Sequence, residues 1–420
     1  MKPNICVIGL GYVGLPLAVE FSKKYKTIGF DINDGRISEL RENIDVTEEV
    51  TKLDLEKSSL IYTSDVNNIK KSNIYVVTVP TPIDESKKPD LRALMSASKL
   101  VGSVIKEGDT VIYESTVYPG CTMEECVPII EKESKLFINQ DFNCGYSPER
   151  INPGDKERTL TKITKITSGS SLKALKIVDD LYASILVDAK TFPVDSIEIA
   201  EAAKVIENAQ RDLNIAFVNE LALVFEKMNI ETNKVIEAAS TKWNFLSFKP
   251  GIVGGHCIGV DPYYLTYKSN LLGYTPEVIL AGRKLNDNMG KHITRRILKL
   301  MVSNDIRIEK SKVLILGLTF KENCPDIRNT KVIDIVNEFN DYGVSLDIVD
   351  PWANGIDVKE EYGMKIKNNV PDLKYDAVVL AVAHNQFLEI NLENYTLEKS
   401  VIFDIKSFLP DSSKIKIHRL

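Results

Sequence analysis

The stretch Asn4-Ile-Cys-Val-Ile-Gly-Leu-Gly-Tyr-Val-Gly14 constrains the fold of this chain more than any other. An apolar run of strand length ends in glycines spaced Gly9-x-Gly11-x-x-Gly14. A helical pattern from Leu15 to Lys24 follows at once. That spacing suits a strand turning sharply into a helix. Gly9 permits the turn, Gly11 lets the backbone approach a pyrophosphate, and Gly14 lets the helix pack close to the strand. The helix start contributes free N–H groups and the positive end of its dipole. The next strand pattern runs from Lys26 to Asp31 and ends on that acid. An acid there bonds a ribose 2′-hydroxyl and repels a 2′-phosphate, so NAD is expected rather than NADP. The alternative is a structural βα turn with no ligand.

The alternation continues. Apolar runs at Asn73–Val79, Thr110–Glu114 and Phe142–Tyr146 read as further strands, and their continuity suits a parallel sheet covered on both faces. The pattern changes near residue 195. Ser196 to Met228 holds no Gly or Pro and reads as one long helix. Helical patterns recur over Asn233–Ser240 and Pro276–Asn304, with a Gly/Pro-rich loop from Phe248 to Pro262 between them. Strand patterns return at Val313–Gly317, Ser345–Asp350, Ala377–Val382 and Val401–Ile405. The expected fold is α/β: two Rossmann-like parallel-sheet domains joined by a long central helix and a helical middle domain. The expected boundaries are 1–195, 196–305 and 306–420. A chain of 420 residues is long enough for such an arrangement.

Bulk properties exclude some functions. The formal net charge is -6 and no basic stripe suggests nucleic acid. No apolar run approaches the roughly 20 residues of a membrane helix, and Met1-Lys-Pro leads straight into a strand. The six cysteines show no CxxC pairing and the four histidines are dispersed. Reduced thiols, a cytoplasmic location and no metal site are expected.

Several motifs carry chemistry. Val79-Pro-Thr-Pro82 and Glu114-Ser-Thr-Val117 follow strands, where ligands of such sheets bind. Thr81 and Thr116 offer hydroxyls there, or simply cap helices. Cys257 lies in Val253-Gly-Gly-His-Cys-Ile-Gly-Val-Asp261, flanked by glycines that suit close approach to a ligand. Beside a nicotinamide site a thiol explains capture of an aldehyde, and hence an alcohol oxidised twice through a thioester; the alternative is an ordinary buried cysteine. Lys204 and Asn208, with Arg211 nearby, share a helix face suited to holding an oxyanion, or form a solvated stripe. Glu149, in Ser147-Pro-Glu-Arg150, is a candidate base, or a loop carboxylate paired to Arg150. Lys321 and Arg328, in Phe320-Lys-Glu-Asn-Cys-Pro-Asp-Ile-Arg328, suit phosphate contacts, or are surface charge.

Taken in order, these motifs resemble the UDP-glucose/UDP-N-acetylhexosamine 6-dehydrogenases, by motif from Gly9 to about Arg328 and by architecture to the end. The set includes Ala203-Lys-Val-Ile-Glu-Asn208 and is far more specific than any one member. The resemblance implies two NAD-dependent oxidations of C6 to a carboxylate. It implies Cys257 as nucleophile and Lys204 and Asn208 at the C6 oxygen. Glu149, Asp261 and Thr116 would handle water and thioester hydrolysis. Gly9, Gly11, Tyr12, Val13, Gly14, Asp31, Arg36, Thr81, Thr116 and Arg328 would touch NAD. Arg150, Ile151, Lys204, Asn208, Arg211, Gly254, Phe320 and Lys321 would touch the UDP-sugar. It also implies a homodimer through the long helix and a role in surface polysaccharide synthesis.

Two departures direct the substrate expectation. UDP-glucose members carry a lysine where Val260 stands and an Arg-Ile-Gly segment where this chain has Thr241-Lys-Trp-Asn244. UDP-mannosamine members often have an arginine at the position of Trp243. The expectation is therefore UDP-N-acetylglucosamine or UDP-N-acetylgalactosamine. The alternatives are UDP-N-acetylmannosamine or UDP-glucose, a single-hydride hydroxyacid dehydrogenase, and a non-catalytic NAD-sensing protein.

Overall fold

The computed structural model describes residues 2–151, 157–255, 258–412 and 415–420. The chain divides into two compact units, Met1–Glu207 with Tyr263–Thr275, and Asn208–Pro262 with Pro276–Leu420.

The first unit is built on an eight-stranded sheet. Its strands are β1 (Asn4–Ile8), β2 (Lys26–Phe30), β3 (Ile61–Thr63), β4 (Ile74–Val77), β5 (Thr110–Tyr113), β6 (Asn143–Tyr146), β7 (Lys165–Gly169) and β8 (Thr191–Pro193). The spatial order is β3-β2-β1-β4-β5-β6-β7-β8. The first six follow the 3-2-1-4-5-6 order of a dinucleotide-binding fold, with the reversal between β1 and β4. β7 then runs antiparallel to β6. Burial explains the strands: β4, β5 and β6 are buried at every position, as strands covered on both faces must be. Ile5, Val7, Val76 and Ile112 meet Leu15, Phe21 and Tyr182 in one core.

The second unit carries a wholly parallel sheet. Its strands are β9 (Lys312–Leu316), β10 (Ser345–Val349), β11 (Tyr375–Leu380), β12 (Thr396–Asp404) and β13 (Ile417–Arg419), in the order β10-β9-β11-β12-β13. This is the other doubly wound order, 2-1-3-4-5. Side chains alternate between two cores, as the pleat requires. Val313, Ile315, Ala377, Val379 and Phe403 join Met289, Ile293 and Ile297 of the helix Glu277–Ser303. Leu314, Leu316, Val378, Leu380 and Ile402 fill the opposite core.

The central helix runs from Ile197 to Met228, as its composition predicts. The loop expected to reach Pro262 ends sooner, because a helix begins at Asp261 and runs to Leu271. Pro262 sits in its first turn, where the missing N–H costs nothing. β3, β7, β8 and β13 escape sequence reading: they are short or carry charged and polar residues, so no apolar run marks them.

Candidate active site

The first glycine turn takes the form its spacing predicts. Gly9 has φ +94°, and its N–H donates to the Phe30 carbonyl at 2.8 Å. A Cβ on Gly14 would lie 1.8 Å from the Gly9 carbonyl oxygen, so only glycine closes the helix onto the strand here. A Cβ on Gly11 would meet nothing within 4 Å. Tyr12 and Val13 are half-buried, and the helix Gly14–Ser22 starts after Val13 with no side-chain cap. Open space beside uncapped N–H groups fits a pyrophosphate. Asp31 follows β2; its Oδ2 accepts from Leu10 N at 2.8 Å and its Oδ1 from Asn33 N at 2.9 Å. Each oxygen keeps a second lone pair for a ribose hydroxyl. These residues fit NAD.

Arg36, expected to touch NAD, sits beside the glycine turn. It is buried, its Nε donates to the Leu10 carbonyl at 3.0 Å, and its Nη2 pairs with Asp45 at 2.7 Å. The guanidinium thus braces the glycine turn. Thr78, which sequence reading passed over, does so as well: its hydroxyl donates to the Gly9 carbonyl at 2.8 Å.

The loops after β4 and β5 are tied together. Thr81 Oγ1 donates to the Thr116 carbonyl at 2.7 Å, and Ser115 Oγ to the Val79 carbonyl at 2.6 Å. The Tyr264 hydroxyl donates to the Thr81 carbonyl at 2.6 Å. Two sequence-predicted residues are therefore neighbours at the carboxyl edge of the sheet.

Glu149 is buried and does not pair with Arg150 through its guanidinium. Arg150 Nη2 instead meets Glu207 at 2.8 Å, while the Arg150 and Ile151 backbone N–H groups donate to Glu149 Oε1. Glu149 Oε2 is buried and has no hydrogen-bond partner among the described residues. Lys165 Nζ lies 3.7 Å from it, 2.7 Å from Glu114 Oε2 and 3.1 Å from the Pro148 carbonyl. Tyr182 donates to Glu114 Oε1. Burial pushes the Glu114 carboxyl up to about 7 against the opposing pull of Lys165. Sequence reading noted Glu114 only as part of a motif and missed Lys165, since β7 gives no signal beyond a lysine in a short polar strand.

In the second unit Asn208 and Asp261 come together. Both are buried, and Asn208 Nδ2 donates to Asp261 Oδ2 at 2.5 Å. Lys204, one turn before Asn208 on the central helix, is 7% exposed, which removes the solvated-stripe reading for it. Arg211 is exposed. Cys257 and its neighbour His256 lie outside the described residues. The segment leading to them is held from both sides. Asn219 takes the Gly251 N–H at 2.8 Å and donates to its carbonyl at 3.0 Å, and Gly255 N donates to the Asn329 carbonyl at 3.1 Å. A Cβ on Gly254 would lie 2.8 Å from the Asn329 carbonyl oxygen, and one on Gly255, at φ +87°, would lie 2.7 Å from the Phe320 ring. These glycines make room for protein.

Phe320 and Lys321 are half-buried on the loop after β9, and exposed Arg328 pairs with Asp326 at 2.7 Å. The base of that loop repeats the first turn. Gly317 has φ +95° and donates to the Val349 carbonyl at 2.8 Å, and Asp350 after β10 accepts from Leu318 N at 2.6 Å. Here the acid is fully consumed. Asp350 also accepts from the Thr319, Trp352 and Ala353 N–H groups and lies 3.1 Å from His384 Nε2. Burial would raise its carboxyl, yet these bonds hold it down to about 2. His384 Nδ1 accepts from Asn323 N at 2.9 Å, so Nε2 carries the proton toward Asp350 and the ring fastens the Phe320–Lys321 loop. Lys406, also missed from sequence, brings its Nζ within 3.9 Å of where a Gly251 Cβ would stand; burial lowers its ammonium pKa.

Comparison with known proteins agrees with this geometry along the whole chain. Residues 3–186 match the NAD binding domain of the UDP-glucose/GDP-mannose dehydrogenase family, residues 198–288 its central domain and residues 314–411 its UDP binding domain. The chain belongs to the UDP-glucose/GDP-mannose dehydrogenase family. It is 54% identical to the UDP-N-acetyl-D-glucosamine 6-dehydrogenase of Salmonella typhi, over 97% of this chain and 96% of that protein. It is 54% identical to the enzyme of the same name from Pseudomonas aeruginosa, over 99% of each. The solved structure of a UDP-D-ManNAc dehydrogenase from Pyrococcus horikoshii superposes with a TM-score of 0.89 at 28% identity, covering 100% of this chain and 99% of that one. The chain is thus an NAD-dependent sugar-nucleotide dehydrogenase with a nucleotide-type sheet at each end. No helix among the described residues is long and apolar enough to cross a membrane.

Proposed function

We propose that this protein oxidises C6 of UDP-N-acetyl-D-glucosamine twice, from alcohol to carboxylate. The observation that carries the reading is the buried Asn208–Asp261 hydrogen bond. It ties the helix bearing Lys204 to the segment just past Cys257, within a chain 54% identical over nearly its full length to enzymes named for that reaction.

NAD, when bound, would supply the hydride acceptor for each oxidation. Gly9, Gly11 and Gly14 and the uncapped helix start hold its pyrophosphate, Tyr12 and Val13 lie along the turn, and Asp31 takes the ribose. Thr81 and Thr116 flank the nicotinamide end, and Arg328 adds a contact. Lys204 and Asn208 donate to the C6 oxygen and stabilise its developing negative charge. The Cys257 thiolate adds to the aldehyde carbon, forming a C–S bond that becomes a thioester after the second oxidation. Glu149 then takes a proton from water, with Thr116 and Asp261 placing it. The water oxygen bonds to the carbonyl carbon, the C–S bond breaks, and its electron pair leaves on sulfur. Phe320, Lys321, Arg150, Ile151, Arg211 and Gly254 hold the UDP-sugar.

Functionally we divide the chain into an NAD-binding part (1–195), a central part carrying the cysteine loop (196–305) and a UDP-sugar-binding part (306–420). We place the enzyme in the cytoplasm, as a homodimer supplying a uronate for surface polysaccharide. The test is NADH release across UDP-N-acetylglucosamine, its galacto and manno epimers and UDP-glucose. Preference for the gluco N-acetyl sugar supports the reading. Preference for the manno epimer would transfer the chain to the activity named for the Pyrococcus structure.

A further inference from the structure

Glu149 is an odd carboxylate. One oxygen takes two backbone N–H groups, from Arg150 and Ile151, while the other is buried and accepts no hydrogen bond from the described residues. Burying a carboxylate oxygen without a hydrogen bond is costly unless a cation lies close. The cation is there. Lys165, itself 3% exposed, sits 3.7 Å from that oxygen. It is too far for a hydrogen bond and near enough for a strong Coulomb attraction in a buried setting.

Lys165 is not free to close that gap. Its ammonium is anchored at 2.7 Å on Glu114 and at 3.1 Å on the Pro148 carbonyl, and it lies 5.0 Å over the Tyr182 ring. Tyr182 in turn donates to the other Glu114 oxygen. The groups facing Lys165 are therefore Glu114, Glu149, the Pro148 carbonyl and the Tyr182 ring. They come from the segments just after β5 and β6 and from the helix Leu172–Ile185, while Lys165 itself opens β7. Such a cluster is expensive for a fold that needs only a packed core, and it stands directly behind the candidate base.

We propose that Lys165 is a positioning residue for the hydrolytic half of the reaction: anchored by Glu114, it fixes the Glu149 carboxylate by charge alone in the orientation a general base needs. In that step the water O–H bond breaks toward the Glu149 carboxylate as the water oxygen bonds to the thioester carbon, and the C–S bond breaks with its electron pair on the Cys257 sulfur. Glu114, bonded to the ammonium at 2.7 Å, keeps it on its own side of the cluster. This rests on the reading of Glu149 as the base, and the experiment separates the two.

The experiment compares Lys165→Met, Lys165→Arg and Glu149→Gln with the native enzyme, using NAD and UDP-N-acetylglucosamine. Acid-quenched enzyme is weighed intact for a covalent sugar adduct, and kcat and KM are measured alongside. Glu149→Gln should accumulate the adduct; if it does not, the base reading itself is wrong. With that established, Lys165→Met should also accumulate the adduct, lose roughly 10- to 100-fold in kcat, less than the full general-base range, and change KM little. Lys165→Arg should restore most of the rate. Adduct in Glu149→Gln without adduct in Lys165→Met would overturn the proposal, as would failure of Lys165→Arg to recover while still binding NAD. Lys165→Met strands a buried carboxyl. Should it fail to fold, the double variant Glu114→Gln with Lys165→Met removes both charges and must show the same adduct.

Discussion

At Gly11 and Gly14 two glycines of one motif have opposite reasons for being glycine. A methyl on Gly14 collides with the Gly9 carbonyl, while a methyl on Gly11 meets only open space. Gly14→Ala should therefore destabilise the first unit by roughly 1–3 kcal/mol or more. Gly11→Ala should unfold like the native enzyme, within about 0.5 kcal/mol, yet bind NAD at least about tenfold more weakly, the size of one lost charge-assisted contact. Denaturation and NAD titration of both variants check this. Equal NAD affinity in Gly11→Ala would show that the pyrophosphate does not approach that backbone. The spacing of these glycines and Asp31 was legible in sequence because one local turn dictates all of them. The bracing by Arg36 was not: a sequence places it near the motif, but only folding shows its Nε on the Leu10 carbonyl and its Nη2 on Asp45.

At the scale of elements, the two sheets open with the same strand, glycine and acid, put to different ends. Asp31 keeps lone pairs for a ligand, whereas Asp350 is consumed by backbone N–H groups and His384. Its carboxyl is held at about 2 when folded and near 3.8 when unfolded. A group depressed in this way stabilises the fold above the unfolded value, and the contribution is lost as pH falls from about 3.8 through about 2. Asp350→Asn should therefore cost about 2 kcal/mol at pH 7, and the deficit should shrink toward pH 2. Both tryptophans, Trp243 and Trp352, belong to the second unit, so intrinsic fluorescence during urea unfolding reads the right part of the chain. A deficit that does not change with pH would mean Asp350 acts through packing. Long periodic elements were legible, from Ile197–Met228 to Glu277–Ser303. β7 was not, because an antiparallel strand with Lys165 facing inward carries neither an apolar run nor a turn signal. Its invisibility hid the lysine beside the candidate base.

For the whole molecule, the central helix bears on assembly. Ile199, Ile206, Phe217, Val224 and Met228 are exposed at spacings that recur on one stripe of a helix. If that stripe forms the homodimer, Phe217→Glu should lower the mass measured by light scattering to that of one chain; an unchanged dimer would move the interface elsewhere. The central claim is chemical, that one chain oxidises one carbon twice through Cys257. It is tested most directly by counting NADH released per UDP-N-acetylglucosamine consumed to completion. The account requires two NADH and a carboxylate, with Cys257→Ser severely impaired in turnover while still binding NAD. One NADH per sugar, with free aldehyde accumulating, would contradict it.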